Sequence, residues 1–440
     1  MSPYTGKFAN AGLAKEGTRG TFTAPTRFVN YVPPFDFSPD IQELESQGVS
    51  GIADMVTKYA QGPGQLKAGK IKFEMEPENS GEHFMAAFGT DTVTETASFI
   101  VILNTNDTID FVCTAGTEAA TVAAGTYVAG ANSGTDAAGT LCKLIASAMH
   151  TADSAHTYTV TFSTTTNKFT IATSQASGTF SLLFNSGTNA AKTMAPLLGF
   201  STAADQTGAY TYTAGTAVVA VFSHAFTRAQ TAQLPSYSWW KMNAGLDYEQ
   251  FTGCLLSKLE LDIKAKEFVE VSADWIGLKG ATSTSQSQSY STHNAFKFDQ
   301  VVPTVAGSPV ADYDDIKLTI DNMGENVHTI GSSIWATKNY SKGFKVSLSM
   351  TITVENTTEW AKFIAGTPSS VTITMTSIEA IKATTYFSLT LTMTNVVYKG
   401  APRPLGKDLL KITFTSDATS SINSSTTLTA TLVNSIGVSY

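Results

Sequence analysis

The sequence predicts a mainly β chain made of two related units, each with one short helix, and of a small α+β module inserted into the first unit. Three observations support this: a strand–helix pattern that occurs twice, an internal stretch poor in charge, and apolar residues that alternate with polar ones elsewhere. Such alternation is typical of strands that bury one face. We predict units at 1–95 with 216–281 and at 282–440, and the inserted module at 96–215.

The repeated pattern comprises residues 78–90 (ENSGEHFMAAFGT) and 355–367 (ENTTEWAKFIAGT), with five identities in thirteen positions. Both segments follow a Lys-rich alternating strand. Each has Asn, Ser or Thr at a possible N-cap, Glu in the first turn and Gly at the end, which predicts one short helix. Strand, capped helix and Gly occurring twice indicate a duplicated unit.

The stretch 96–215 contains nine charged residues in 120, against 55 in the other 320. It carries its own pattern: strands at 99–103, 158–162 and 169–171, a hairpin turn at 164–168, and one helix face formed by Leu141, Leu144, Ile145, Ala148 and Met149, with Asp136 near its start. Phe180 and Leu182 indicate a further strand, and 196–200 a short apolar turn. A patterned segment of this length is better explained as a module than as a loop.

Outside this stretch, further strands are predicted at 258–264, 268–273, 315–321, 345–353, 371–375, 386–394, 409–415 and 427–433. Residues 281–291 are rich in Ser, Thr and Gln and are typical of a linker or hairpin tip. A second short helix is considered for Asp40–Gln47.

The net charge of −8 argues against tight nucleic-acid binding, which needs clustered Lys and Arg. Cys113, Cys142 and Cys254 are widely spaced, so free thiols are expected, and neither they nor the six histidines follow a metal-binding spacing. We expect no cofactor and no metal. The first residues carry no secretory signal and no apolar run is long enough to span a membrane.

Carboxylates two residues apart, Glu74/Glu76 and Glu260/Asp262, share a strand face, where glycosidase-type chemistry is conceivable. Alternating charges more often form the solvated face of a sheet, so we expect that the protein is not an enzyme. Trp239 and Trp240 could stack a sugar or a base, but an interface or a core edge is the preferred interpretation.

Residues 234–280 resemble the siphophage tail tube protein family, through Leu234-Pro235-Ser236, Gly245-Leu246, residues 251–254 (FTGC) and the strands at 257–264 and 268–277. Residues 317–322 (KLTIDN) and 329–332 (TIGS), followed by a strand, the short helix and a Thr-rich strand pair, extend the resemblance through the second half. The insert is similar to a small module of phage virion proteins, through 158–162, 167–171 and 197–200.

This resemblance implies two β-sandwich or half-barrel units, each with a flanking helix, and rings that stack into a tail tube through which the genome is ejected. Two units per chain would give rings of three chains with pseudo-sixfold symmetry, although hexameric rings stay possible. The implied partners are further copies of this chain, the tape measure protein, the tail terminator, baseplate or distal tail proteins, and DNA that passes without tight binding. The implied location is the virion tail, assembled in the host bacterial cytoplasm, with no membrane partner.

An acidic lumen would repel phosphates. The lumen-facing candidates are Glu74, Glu76, Glu260, Asp262 and Glu270, for which an outer solvated face is the alternative. The loops 34–67 and 322–343 are the expected ring-to-ring contacts. Candidates for contacts between subunits or rings are Phe35, Phe37, Ile41, Trp239, Trp240, Trp335 and Tyr340.

Two other function classes stay open. One is a different virion part, such as a capsid decoration protein or a receptor-binding adhesin, and the other is a carbohydrate-binding or carbohydrate-active β-sandwich protein. An adhesin usually carries a long shaft or terminal repeats, whereas a carbohydrate protein needs a cleft of aromatic and carboxylate side chains. Electron microscopy of the purified protein would separate tubes or rings from spikes and single particles.

Overall fold

The computed structural model describes residues 9–33, 35, 37–45, 59–229, 233–243, 247–310, 313–331, 333–354, 358–402, 410–419 and 427–440. It confirms the prediction of a mainly β protein. The duplication and the assignment of domains stay predictions.

The first part contains six strands and one helix. They are β1 (Asn10–Lys15), β2 (Arg27–Phe28), β3 (Tyr31–Val32), β4 (Phe37–Glu45), β5 (Tyr59–Glu74), α1 (Ser80–Phe88) and β6 (Gly89–Thr96).

The stretch between β6 and its neighbour in the sheet contains β7 (Phe99–Val101), β8 (Thr108–Cys113), β9 (Gly116–Thr121), β10 (Gly125–Tyr127), α2 (Leu141–Ala152), β11 (Tyr158–Ser163), β12 (Lys168–Thr173), β13 (Ser181–Leu182), α3 (Ala195–Leu198) and β14 (Thr211–Thr213). The predicted hairpin at 158–171 and the predicted helix over 141–149 are confirmed. Thr140, not Asp136, caps α2, because the backbone N–H of Lys143 donates to the Thr140 hydroxyl.

The remainder contains β15 (Val221–Arg228), β16 (Tyr237–Asn243), β17 (Asp247–Lys264), β18 (Glu270–Gly277), β19 (Lys279–Thr282), β20 (Val301–Val305), β21 (Ser308–Pro309), β22 (Tyr313–Asp321), β23 (Gly324–Val327), β24 (Lys338–Ser341), β25 (Lys345–Thr353), α4 (Thr358–Ala365), β26 (Ser369–Lys382), β27 (Thr385–Gly400), β28 (Lys411–Ala418) and β29 (Thr429–Asn434).

One sheet of nineteen strands runs through both predicted units in the described part of the chain. Its main path is β4–β5–β18–β17–β22–β25–β28–β27–β29–β15–β6, with antiparallel pairing throughout. The first unit therefore pairs with the second at two places, β17–β22 and β29–β15.

The long strand β17 takes part in two regions of this sheet. Its first half pairs with β16 and β19, and its second half with β18 and β22. Gly253 lies between the halves with φ +63°, and a Cβ there would approach Leu278 to 2.5 Å. Only glycine fits this bend without strain.

Two hydrophobic clusters form the core. The larger cluster contains buried residues from Ala11 to Tyr440 and includes members of both predicted units. The smaller cluster contains buried residues only between Phe99 and Phe222, and β7–β14 with α2 and α3 surround it. A separate core of this kind is what a module needs to be stable in its own right.

The repeated pattern forms two helices, each after a long strand. α1 ends at Gly89 with φ +90° and α4 is followed by Gly366 with φ +61°, as the predicted glycine ends require. Asn79 occupies the N-cap position of α1, as predicted, but its side chain makes no capping bond and donates to Glu76 and Phe28 O instead. The corresponding caps, Asn356 and Thr357, lie outside the described residues.

The helix considered for Asp40–Gln47 is wrong. Residues 37–45 form β4, which pairs with β5 in a long hairpin, while 46 and 47 lie outside the described residues. The apolar turn predicted at 196–200 is the short helix α3.

Candidate functional site

The side of the main sheet that faces away from the larger core forms a broad polar surface, which we call the polar face. Register places Lys72, Ser272, Glu260, Thr319 and Ser347 in one row across β5, β18, β17, β22 and β25. The next row contains Glu74, Glu270, Asp262, Lys317 and Ser349. Directly paired residues share a face of a sheet, so four of the five lumen-facing candidates lie together.

Glu76, the fifth lumen-facing candidate, lies apart from this face. It follows the end of β5, is only 7% exposed and accepts hydrogen bonds of 2.6 Å from the Asn30 and Asn79 side chains. Burial raises the pKa of Glu76. Its role in the described structure is to hold the start of α1, so its assignment to the strand face is wrong.

The strands β5, β18, β17, β22, β25 and β28, with the end of β27, form the ion-pair sector of the polar face. Among the residues whose side chains the structure describes, its lysines are Lys72, Lys258, Lys264, Lys317, Lys345, Lys399 and Lys411, and its carboxylates are Glu74, Glu260, Asp262, Glu270, Asp274, Asp314, Asp315, Asp321 and Asp417. The sector therefore mixes both charges and is not simply acidic.

Each of these lysines lies within 4 Å of a carboxylate oxygen. Glu260 is central, because its carboxylate lies 2.6 Å from Lys258 Nζ and 3.6 Å from Lys317 Nζ. The hydrogen bond with Glu260 raises the pKa of Lys258, and the one from Lys399 at 2.5 Å lowers the pKa of Asp417. Carboxylates on the same face therefore neutralise the charge of these lysines.

The other part of the polar face, on β20, β26, β27, β29, β15 and β6, carries mainly hydroxyl groups, and we call it the hydroxyl sector. Thr390 is paired on one side with Thr374 and on the other with Thr431. The remaining hydroxyl members occupy equivalent rows: Thr90, Thr92, Thr94, Ser223, Thr227, Thr304, Thr372, Thr376, Ser388, Thr392 and Thr429. Ala225, Val302 and Val433 fill positions among them.

Sequence reasoning missed the hydroxyl sector, although its signal is present. Thr or Ser stands at every second position of 372–376, 388–392 and 90–94, and in the first two segments the residues between them are apolar and buried. The prediction considered only charged side chains on the polar side of strands, so the uncharged alternation was read as strand propensity alone.

The predicted contact residues fall into two groups. Trp239 and Trp240 are fully buried and Phe37 is 2% exposed, so the prediction that they contact other subunits is wrong. Trp239 packs against Trp275 and Phe37, and Trp240 packs edge-on against Phe28. Large apolar side chains suit a core as well as an interface.

The second group lies at one end of the sheet. Ile41 and Tyr340 are 38% and 36% exposed, Trp335 is half-buried, and Phe35 packs partly buried against the larger core. Whether they contact other subunits stays a prediction.

A buried polar cluster joins β6, β15 and the segment after β29. The His224 ring has Asp91 Oδ2 3.0 Å from Nδ1 and Ile436 O 2.7 Å from Nε2, and the side chains of His224 and Asp91 are fully buried. The backbone N–H of Tyr440 also donates to Asp91, at 3.1 Å. Because the side chains of this cluster are buried and bonded to one another, the cluster stabilises the fold and is not accessible to a ligand.

Lys382, at the turn between β26 and β27, contacts residues near the two ends of the predicted insert. Its Nζ donates to Val219 O at 2.8 Å and lies 3.4 Å from the centre of the Phe99 ring. Burial lowers the pKa of Lys382 to about 8, although the nearby Glu95 carboxylate opposes this shift. The second half of the chain thereby holds the smaller core in place.

Among the described residues, no group of three or more His, Cys, Asp or Glu is placed to hold a metal ion. The three cysteines are buried and free. None of the described helices has the length and apolar character needed to cross a membrane.

Comparison with known protein families gives a match to part of the chain. Residues 230–432 match the family model of the phage tail tube protein, a region that begins before β16 and ends within β29. It runs across the predicted boundary at 281/282. The curated proteins compared contain no match. Residues 230–432, a little under half of the chain, are therefore similar to the phage tail tube protein family, and this match supports a structural role in a phage tail.

Proposed function

We propose that this protein assembles into rings that stack into a tail tube, and that the tube conducts the phage genome during ejection. The polar face of the main sheet lines the channel in this arrangement. The role is structural and not catalytic.

The pairing of the seven lysines described in the ion-pair sector carries this proposal. Duplex DNA is a dense polyanion, and a protein binds it when free Lys or Arg displace its counterions. Each of these seven lysines has a carboxylate within 4 Å, and the hydroxyl sector is built from uncharged side chains. Such a surface stays hydrated and gives the phosphates no net positive charge to hold.

The proposed ring contains three chains. The support is the succession of strand, helix and strand that occurs twice, as β5–α1–β6 and as β25–α4–β26. If each copy occupies one sixth of the ring, three chains complete it. The mass of isolated rings tests this number, and six chains would contradict it.

The proposed partners follow from the tail tube role: further copies of the chain along the axis, the tape measure protein inside during assembly, and the terminator and distal tail proteins at the ends. Assembly takes place in the host cytoplasm. For the inserted stretch we propose the outside of the tube, because a second hydrophobic core would obstruct a channel that passes DNA.

A charge added to the channel tests the lining. Thr390→Lys puts an unpaired lysine in the middle of the hydroxyl sector, where Thr374 and Thr431 supply no carboxylate. Assembled tubes of the variant are expected to retain a short DNA duplex at low salt, with a binding constant that falls steeply as salt rises, by a slope of about 0.9 for each phosphate contacted. Fluorescence anisotropy of labelled duplex measures both quantities.

Thr105→Lys is the matched control, because it adds the same charge at an exposed position of the inserted stretch. Wild-type tubes and the control are expected to retain little duplex. Equal retention by the two lysine variants, or none by Thr390→Lys, would place the polar face outside the channel. If the purified protein forms neither rings nor tubes in negative-stain images, the tube role itself is wrong.

A further inference from the structure

Exposed apolar side chains gather at the two opposite ends of the main sheet. We define the hairpin end by Lys258, Asp321 and Lys345, and the pocket end by Lys264, Asp315 and Thr351, which are paired in register across β17, β22 and β25. From Asp315 to Asp321 a strand covers about 20 Å at roughly 3.3 Å per residue. The two ends of one molecule are therefore well separated.

The hairpin end presents Ile330 to solvent. Ile330 lies in the loop between β23 and β24, and its side chain is fully exposed. Ile41 and Leu44, on β4, are 38% and 54% exposed and lie in the hairpin of β4 and β5.

The loop that carries Ile330 is held in place by β5. Gly64 N–H donates to Ile334 O at 2.6 Å, and Ala336 N–H donates to Gly64 O at 3.0 Å. His328 Nε2 lies 3.0 Å from the same carbonyl oxygen, and the Trp335 ring covers Gly64 so closely that a Cβ there would lie 3.2 Å away. These contacts with β5 hold the loop so that Ile330 stays exposed. An exposed apolar side chain contributes no hydrophobic free energy to the stability of the monomer.

The pocket end has a cavity of about 320 Å³. Its lining is mostly apolar, with Lys264, Asp314 and Asp315 at its edge; Phe298, Val302, Pro309, Val310, Tyr313 and Ile316 form much of the wall. Phe298 and Val302 are 41% and 49% exposed. This volume equals roughly the share of ten water molecules in the liquid, which is ample for one aliphatic side chain.

The charges at the two ends are compatible. Residues 326–338 contain no Asp or Glu, and His328 and Lys338 flank the loop, whereas the cavity edge carries two carboxylates, Asp314 and Asp315, against one lysine, Lys264. A chain cannot place its own Ile330 in its own cavity across the length of the sheet, so an Ile330 side chain that fills this cavity belongs to another copy of the chain.

We propose that Ile330 of one chain inserts into the cavity at Phe298 and Val302 of the next chain along the tube. The contact joins different surfaces of two identical chains, so it repeats without closing and builds a filament. It rests on the proposed tube function and identifies which apolar side chain and which cavity meet between stacked rings.

Cross-linking tests this contact directly. The double variant Ile330→Cys/Val302→Cys, in the full-length chain, is assembled and treated with a short bis-maleimide, and denaturing gels show the products. The native cysteines are buried, so they contribute little background. We expect a ladder of dimers, trimers and longer chains, because each molecule carries both halves of the contact.

The matched control is Ile330→Cys/Ile102→Cys, in which the second cysteine replaces an aliphatic residue of similar exposure, 51%, in the inserted stretch. A ladder from this control, or none from the test variant in tubes of normal appearance, overturns the proposed contact and leaves the tube function standing. Absence of any tubes from the wild-type protein removes the basis of both.

Loss of the apolar contact gives a second readout. Ile330→Ser is expected to raise the protein concentration needed for tube formation by about tenfold to a hundredfold, as the transfer free energy of one buried aliphatic side chain predicts. Ile102→Ser makes the same substitution at a half-exposed isoleucine away from both ends and is expected to leave that concentration unchanged. Equal effects of the two variants would contradict the contact.

Discussion

Removal of the Asp91 carboxylate is expected to destabilise the protein more than any comparable change at its surface. Asp91 Oδ2 accepts from the His224 ring at 3.0 Å and from Tyr440 N–H at 3.1 Å, and both side chains are fully buried. Asp91→Ala leaves two buried donors without an acceptor. Breaking a buried pair by removing one partner costs about 3–5 kcal/mol of unfolding free energy.

The chain supplies a control of the same chemistry with less burial. Glu379 lies 3.1 Å from the His293 ring, and the two side chains are 26% and 30% exposed. Glu379→Ala is expected to cost about 1 kcal/mol or less, because water and salt screen exposed pairs.

Equilibrium unfolding in urea, followed by tryptophan fluorescence, measures the difference. All five tryptophans lie outside the stretch between Thr96 and Val221, so the signal reports on the larger core and not on the smaller one. Similar losses for Asp91→Ala and Glu379→Ala would refute the reasoning from burial. The double variant Asp91→Ala/His224→Ala is expected to cost less than the sum of its single changes, because the two residues share one interaction.

The remaining predictions concern the inserted stretch. In the folded chain the pKa of Lys382 is lowered to about 8 from 10.5, so between these pH values the unfolded chain binds the proton and the folded chain does not. The free energy of unfolding should therefore rise with pH across this window. Urea titrations at several pH values measure the rise, and Lys382→Met should remove part of it. Thr96 and Val221 are paired in register, so joining them through Asn-Gly in place of residues 97–220 should close a β6–β15 hairpin. The shortened protein should fold and form tubes whose core diameter in electron micrographs is unchanged. Tubes that lack order after this deletion would show that the inserted stretch takes part in assembly.

Local elements were predictable because their signals are local. The hairpin of β11 and β12 alternates around a polar turn, and α2 has a continuous apolar face, so neither depends on distant partners. The glycine ends of α1 and α4 were predictable for the same reason, since a left-handed residue is needed wherever such a helix stops.

Features that depend on distant pairing were not predictable. β4 resembles a helix in sequence and becomes a strand because β5 supplies its hydrogen-bond partners. The burial of Trp239 and Trp240 could not be predicted from the sequence, because large aromatic side chains occur both in cores and in interfaces. The β29–β15 pairing joins residues about two hundred positions apart, and the sequence of neither strand indicates which strand it pairs with.

The two sectors of the polar face reach neutrality by different chemistry, with different consequences. In the ion-pair sector neutrality depends on ionised carboxylates, so this sector gains positive charge as pH falls. Asp315 contributes first because burial raises its pKa, and Asp417 holds its charge longer because the hydrogen bond from Lys399 lowers its pKa. Hydroxyl groups carry no charge at any physiological pH, so the sector around Thr374, Thr390 and Thr431 stays neutral throughout. A channel lined by both sectors would interact most weakly with a polyanion near neutral pH, because each of the seven described lysines then still has an ionised carboxylate as its partner.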